Sequence, residues 1–169
     1  MKSSIARPLA VLVGAALLVA PGTAQGASSV ASANGQGTLD NGDRHFSFSA
    51  KQAADGTVSG TATLTNKSFT GANGTSPYKL KIDIVCMKRF GNTVYFGGNT
   101  ARTNDPNLVD AVFFAVQDNG DPGKDTDKIS RAYFWDDDPL TTGDPQACQN
   151  NAVDDFPLET IEAGNIQVK

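Results

Sequence analysis

The stretch from Asp110 to Asp138, DAVFFAVQDNGDPGKDTDKISRAYFWDDD, restricts the fold of this chain more than any other. Side chains of an extended chain alternate between two faces, so Val112, Phe114 and Val116 share one side of the first run and Ala111, Phe113 and Ala115 the other. Both sides are apolar. A strand of that kind needs cover on both faces, which places it mid-sheet rather than at a wetted edge. In the return run Ile129, Arg131, Tyr133 and Trp135 alternate with Ser130, Ala132 and Phe134, an aromatic-rich strand that is expected to pair with the first. Glycine and proline punctuate the connection Asp118-Asn119-Gly120-Asp121-Pro122-Gly123-Lys124-Asp125-Thr126-Asp127, which crowds four carboxylates into one loop.

The same alternation recurs along the chain. His45 to Lys51 sets Phe46, Phe48 and Ala50 against His45, Ser47 and Ser49, and after a turn at Asp55-Gly56 the segment Thr57 to Asn66 returns as a hairpin partner. Tyr78, Leu80, Ile82, Ile84 and Cys86 alternate with Lys79, Lys81 and Asp83, which turns Cys86 inward with Ile84. Gly91-Asn92 suits a tight turn, with Thr93 to Phe96 returning and ending at Gly97-Gly98, ahead of a loop from Asn99 to Asn107. Gly35-Gln36-Gly37 lacks the third glycine and following helix of a dinucleotide fingerprint and reads as the start of a strand beside a close neighbour. Asn66 to Pro77 is a polar loop, and Asp136 to Pro157, with three prolines, is a long one. The end reads as Leu158 to Ile161, a turn at Gly164-Asn165, and Ile166 to Val168. No helical period is sustained, so the expectation is an all-β, single-domain antiparallel sandwich or barrel of about eight to ten strands.

Residues 1–26 have the layout of a secretory signal peptide. Lys2 and Arg7 precede the apolar run Leu9 to Ala20, Pro21 and small residues follow, and the run is too short to span a bilayer. Cleavage fits after Ala24 or Gly26, with Ala31-Ser32-Ala33 a more distant choice. No cysteine follows the run and no twin arginine precedes it, so the expected product is freely secreted, with residues 27–34 a disordered lead-in and 35–169 the β domain. Without Lys2 and Arg7, twelve of the 14 basic residues face 18 acidic ones, a net charge of about −6 that makes nucleic acid and anionic membranes poor partners. In an oxidising compartment Cys86 and Cys148 are expected to bond, worth roughly 4 kcal/mol on a chain-entropy model. That bridge would pin the long loop to the strand carrying Cys86.

Two segments carry a resemblance. Phe114-Ala115-Val116-Gln117-Asp118-Asn119-Gly120-Asp121-Pro122-Gly123, with an aspartate a few residues on, and the ending Gly164-Asn165-Ile166-Gln167 resemble the post-COAP domain of secreted bacterial proteins, whose members share a D-x-G-[D/E]-P-G turn and a terminal G-N-I. The resemblance implies a secreted, mostly β domain and supplies no catalytic residues. The chain departs from it in standing almost alone behind its leader and in its Trp135-Asp136-Asp137-Asp138 loop with Cys148.

Three functional readings follow. A non-catalytic domain acting by binding or structure, at the cell surface or on an extracellular ligand, fits the absence of an obvious catalytic set. A small hydrolase would need two carboxylates held across a cleft, for which Asp136, Asp137, Asp138, Asp154 and Asp155 are the candidates. A barrel around a small apolar ligand is the third; Tyr95, Tyr133 and Trp135 could form a platform for a carbohydrate or an apolar ligand, or simply fill the core. His45 is the sole histidine, so any Ser-His-Asp triad would have to use it. Asp118, Asp121, Asp125 and Asp127 are candidate calcium ligands, although Gly120 and Pro122 break the EF-hand spacing and Ile129 stands where its terminal glutamate would. The competing role for these aspartates is capping of main-chain N–H groups.

Overall fold

A computed structural model describes residues 29–69, 78–105, 111–134, 143–150 and 156–169. They form an all-β domain of ten antiparallel strands: β1 (Ser29–Leu39), β2 (Arg44–Ala53), β3 (Val58–Asn66), β4 (Tyr78–Phe90), β5 (Thr93–Thr103), β6 (Ala111–Gln117), β7 (Lys128–Ser130), β8 (Tyr133–Phe134), β9 (Leu158–Thr160) and β10 (Ala163–Val168). The strands make one curled sheet, a half-barrel in the order β10-β1-β2-β3-β4-β5-β6-β7-β9, with β8 on β6 beside β7. Only Ile161 and Glu162 separate β9 from β10, yet these strands stand at opposite ends of that order. One bent segment therefore carries the chain from one side of the curl to the other. Ile161 N–H donates to the Asp127 carbonyl at 3.0 Å and Glu162 N–H to the Thr38 carbonyl at 2.9 Å, fixing the bend to both sides.

Inside the curl Phe46 and Phe48 of β2, Ile82 and Ile84 of β4, Phe96 of β5, Phe114 of β6 and Ile166 of β10 are buried together. The rings of Phe96 and Phe114 lie 4.8 Å apart and Phe48 sits 5.4 Å from Phe96, within the range in which aromatic pairs attract. β6 is buried on both faces, as its double apolar pattern requires. Val112, Phe114 and Val116 enter this core, while Ala111, Phe113 and Ala115 join a second layer with Tyr95, Phe156 and the disulfide. That layer is closed by a 3-10 helix at Pro145–Gln149, capped by Asp144, whose carboxylate accepts the Gln146 N–H at 2.8 Å.

Several expectations are corrected by local irregularities. Cys86 does not turn inward with Ile84. The pairing of β4 with β5 shifts between Ile84 and Cys86, and such a bulge moves every later side chain to the other face. Met87 enters the main core in its place, and Cys86 bonds Cys148 in the outer layer with Cα atoms 6.2 Å apart. The return run does pair with β6, but Val116 opposes Ile129 whereas Val112 opposes Phe134, a register one residue out. Ile129 therefore faces the main core and Tyr133 the outer layer, on opposite faces rather than one. Ser130 marks the break: its hydroxyl accepts the Ala115 N–H and donates to the Arg131 carbonyl, each at 2.8 Å.

Three glycine signals read as strand ends lie within strands. β5 runs on through Gly97 and Gly98 to Thr103, and β10 runs through Gly164. A Cβ on Gly97 would overlap the Pro145 carbonyl, so the missing side chain admits the 3-10 helix; one on Gly164 would overlap the Gln36 carbonyl. Ser29 to Asn34, expected as a disordered lead-in, belongs to β1, with Ala33 fully buried. Residues 27 and 28 of that lead-in and the leader at 1–26 lie outside the described residues.

Candidate functional site

One end of the curl holds an apolar pocket of about 260 Å³. The last residue of β1, the start of β2, the end of β3 and the start of β4 form one wall, contributing Leu39, Phe46, Leu64 and Tyr78. Ile129, Ala132 and Phe134 form the facing wall. These walls meet because the sheet curls, bringing β7 and β8 opposite β2 and β3. Phe69 packs edge-on against Tyr78 at 5.4 Å and extends the apolar surface toward the mouth. Burial, and then the charge of Asp105, push the Tyr78 phenol up, so its hydroxyl stays protonated.

Charged groups occupy one side of the rim. Arg44 directs both terminal nitrogens at Glu159, 3.1 and 2.7 Å away, and so ties β2 to β9 across the curl. Its Nε lies 2.9 Å from Asp40 Oδ2 as a charge contact rather than an aligned hydrogen bond. Arg131 donates through Nε to Glu159 at 3.0 Å, with its side chain otherwise exposed. Partial burial pushes the Glu159 carboxyl up, but the hydrogen bonds and charges of Arg131 and Arg44 outweigh it and hold the group below the ordinary carboxylate range. The same Glu159 hydrogen bond and charge raise Arg131. Glu159 is thus fixed as an anion, which suits a positioning role and not a proton donor.

The acidic loop is organised differently. Asp127 is fully buried, and its two oxygens accept the N–H groups of Asn119 and Ile166, each at 2.7 Å. Asp118 accepts the N–H of Gly120 at 3.0 Å and of Val168 at 2.9 Å. Asn165 Oδ1 accepts the Gly123 N–H at 2.7 Å. The N–H donors of Ile166 and Val168 are two residues apart on β10, the spacing at which a strand presents outward N–H groups. Asp118 and Asp127 therefore stand where a neighbouring strand's carbonyls would. Asp121 and Asp125 are exposed. The four candidate calcium ligands are not gathered into one set, and among the described residues no group of three or more His, Cys, Asp or Glu is placed to hold a metal ion.

His45 is exposed on β2 beside the pocket. Tyr95 is buried in the outer layer with its ring 5.8 Å from Phe156, and Tyr133 packs on the same ring at 5.0 Å, so both fill the core rather than form a platform. Trp135, Asp136, Asp137, Asp138, Asp154 and Asp155 lie outside the described residues. Sequence reasoning passed over Arg44, Arg131 and Glu159. The available signal was a charge set inside or beside an apolar strand pattern, as with Arg131 between Ile129 and Tyr133.

No family model, curated protein or solved structure matches the chain.

Proposed function

We propose that this chain is a secreted, non-catalytic binding domain whose ligand seat is the apolar pocket at the open end of the curl. The pocket itself carries the reading: about 260 Å³ of space walled by Leu39, Phe46, Leu64, Ile129 and Phe134, with Arg44, His45, Ser130 and Arg131 among the polar groups that line it. Protein interiors are otherwise close-packed, and apolar cavities well under this size already admit a small aromatic molecule. A few polar groups in a mostly apolar pocket are the usual make-up of a small-molecule site. Secretion is supported by the bonded Cys86 and Cys148, which fit an oxidising compartment, and by the leader-like layout of residues 1–26. Among the described residues no helix is long and apolar enough to cross a membrane. A post-COAP-like identity is part of the proposal. The two motifs that carry that resemblance touch, through Gly123 with Asn165 and through Asp127, just beyond the turn, with Ile166.

The test is titration with a neutral fluorescent naphthylamine, whose emission rises in apolar surroundings. Saturable binding is expected for the native protein, and Ala132→Phe and Leu64→Trp, which fill the pocket from opposite walls, should each abolish it. Unchanged binding in both filled variants, with their folds intact by circular dichroism, would place the ligand elsewhere.

A further inference from the structure

We infer that the pocket, taken as the ligand seat proposed above, selects an amphipathic carboxylate: an alkyl or aryl body among Leu39, Phe46, Leu64 and Phe134, and a carboxylate on the guanidinium of Arg131. The two arginines at the rim are not equivalent. Arg44 spends both terminal nitrogens on Glu159 and is largely buried, with 12% of its side chain exposed. Arg131 gives Glu159 only its Nε, and its two terminal nitrogens have no partner among the described residues. Its side chain is 67% exposed. A guanidinium held by one edge and open at the other is oriented before a ligand arrives, and its remaining N–H groups match the paired oxygens of a carboxylate. Glu159 is the group that orients it, and it is held ionised for that purpose.

The charges nearby decide how strong the preference is. Arg44 and Arg131 are balanced by Glu159 and Asp40, so the rim has no net positive charge to attract anions from a distance. What remains is one short-range, partly solvated pair, worth about two- to five-fold in affinity. The apolar body supplies the rest. A cationic head would instead meet the outward N–H groups of Arg131, and an uncharged head would leave them to water.

Displacement of the neutral naphthylamine from the full mature protein at neutral pH by decanoate, decanol and decyltrimethylammonium tests this. Decanoate should bind about two- to five-fold more tightly than decanol, and the ammonium compound most weakly. Arg131→Gln should bring decanoate down to decanol without changing decanol, Arg131→Lys should keep part of the preference, and raised salt should erode it in the native protein. Equal affinities for decanoate and decanol, untouched by Arg131→Gln, would overturn the inference while leaving the pocket as a seat for uncharged ligands. Displacement by none of the three would overturn the seat itself, and with it this inference.

Discussion

Asp127 shows how one residue can decide the state of the loop around it. A buried carboxylate is costly unless its hydrogen bonds are filled, and here two main-chain N–H groups fill them. Asp127→Ala would strand the amides of Asn119 and Ile166 and should cost about 3 kcal/mol or more, read as a shift in the urea midpoint. Asp121, exposed in the same loop, should tolerate alanine to within about 0.5 kcal/mol. If both substitutions cost the same, the carboxylate of Asp127 is not serving as a main-chain acceptor. Gly123 belongs to the same node, because a Cβ there would overlap Asp127 Oδ2 and crowd Asn165 Oδ1. Gly123→Ala should therefore destabilise by about 1–3 kcal/mol although the position is in a loop. The acidic composition of the loop was plain in the sequence. Which carboxylates face main-chain amides was not, because Ile166 and Val168 lie 39 and 50 residues away.

At the scale of elements, legibility followed the regularity of the pattern. β2 and β3 could be read because their apolar positions alternate without interruption and β6 because it is apolar on both faces, and the turns at Gly56 and Gly91 adopt the positive φ that tight turns ask for. Alternation fails at a bulge, since the extra residue is defined only by the partner strand. The insertion at Val85 therefore put Cys86 on the unexpected face, and Gln146, reaching from the 3-10 helix, accepts the consequence by donating to the Val85 carbonyl at 3.1 Å. Glycine was misread at Gly97 and Gly164 because a turn and a close approach of two backbones both favour it. The pocket was invisible for a related reason: its facing walls come from segments some fifty residues apart or more, such as Tyr78 and Ile129. Phe114 lies at the centre of β6, in contact with Phe48 and Phe96. Phe114→Ala should cost about 3–5 kcal/mol, and an unchanged urea midpoint would mean the strand is not mid-sheet.

For the whole molecule, the curl is held by ties between its two sides, and these respond to pH and to solvent differently. Glu159 bridges β9 to Arg44 of β2, with its carboxyl held below the ordinary range. A depressed folded pKa means that its contribution is present above the unfolded value and is lost as pH falls through the folded one. Glu159→Gln should therefore lower the midpoint at pH 6 by less than about 1 kcal/mol, since the group is partly exposed. The gap to the native protein should close as pH falls toward about 3; a gap independent of pH would remove the ion pair from the account. The ties at Asp118 and Asp127 matter more, because they hold the outer side of β10, where no strand pairs with it among the described residues, and the pocket keeps its shape only while the curl is held. Amide hydrogen exchange at Ile166 and Val168 tests this most directly. Both N–H groups should exchange as slowly as those inside β2 and β6, and Asp127→Ala should speed Ile166 far more than Val168. Rapid exchange at both positions in the native protein would show that β10 is an open edge and that carboxylates do not close the curl.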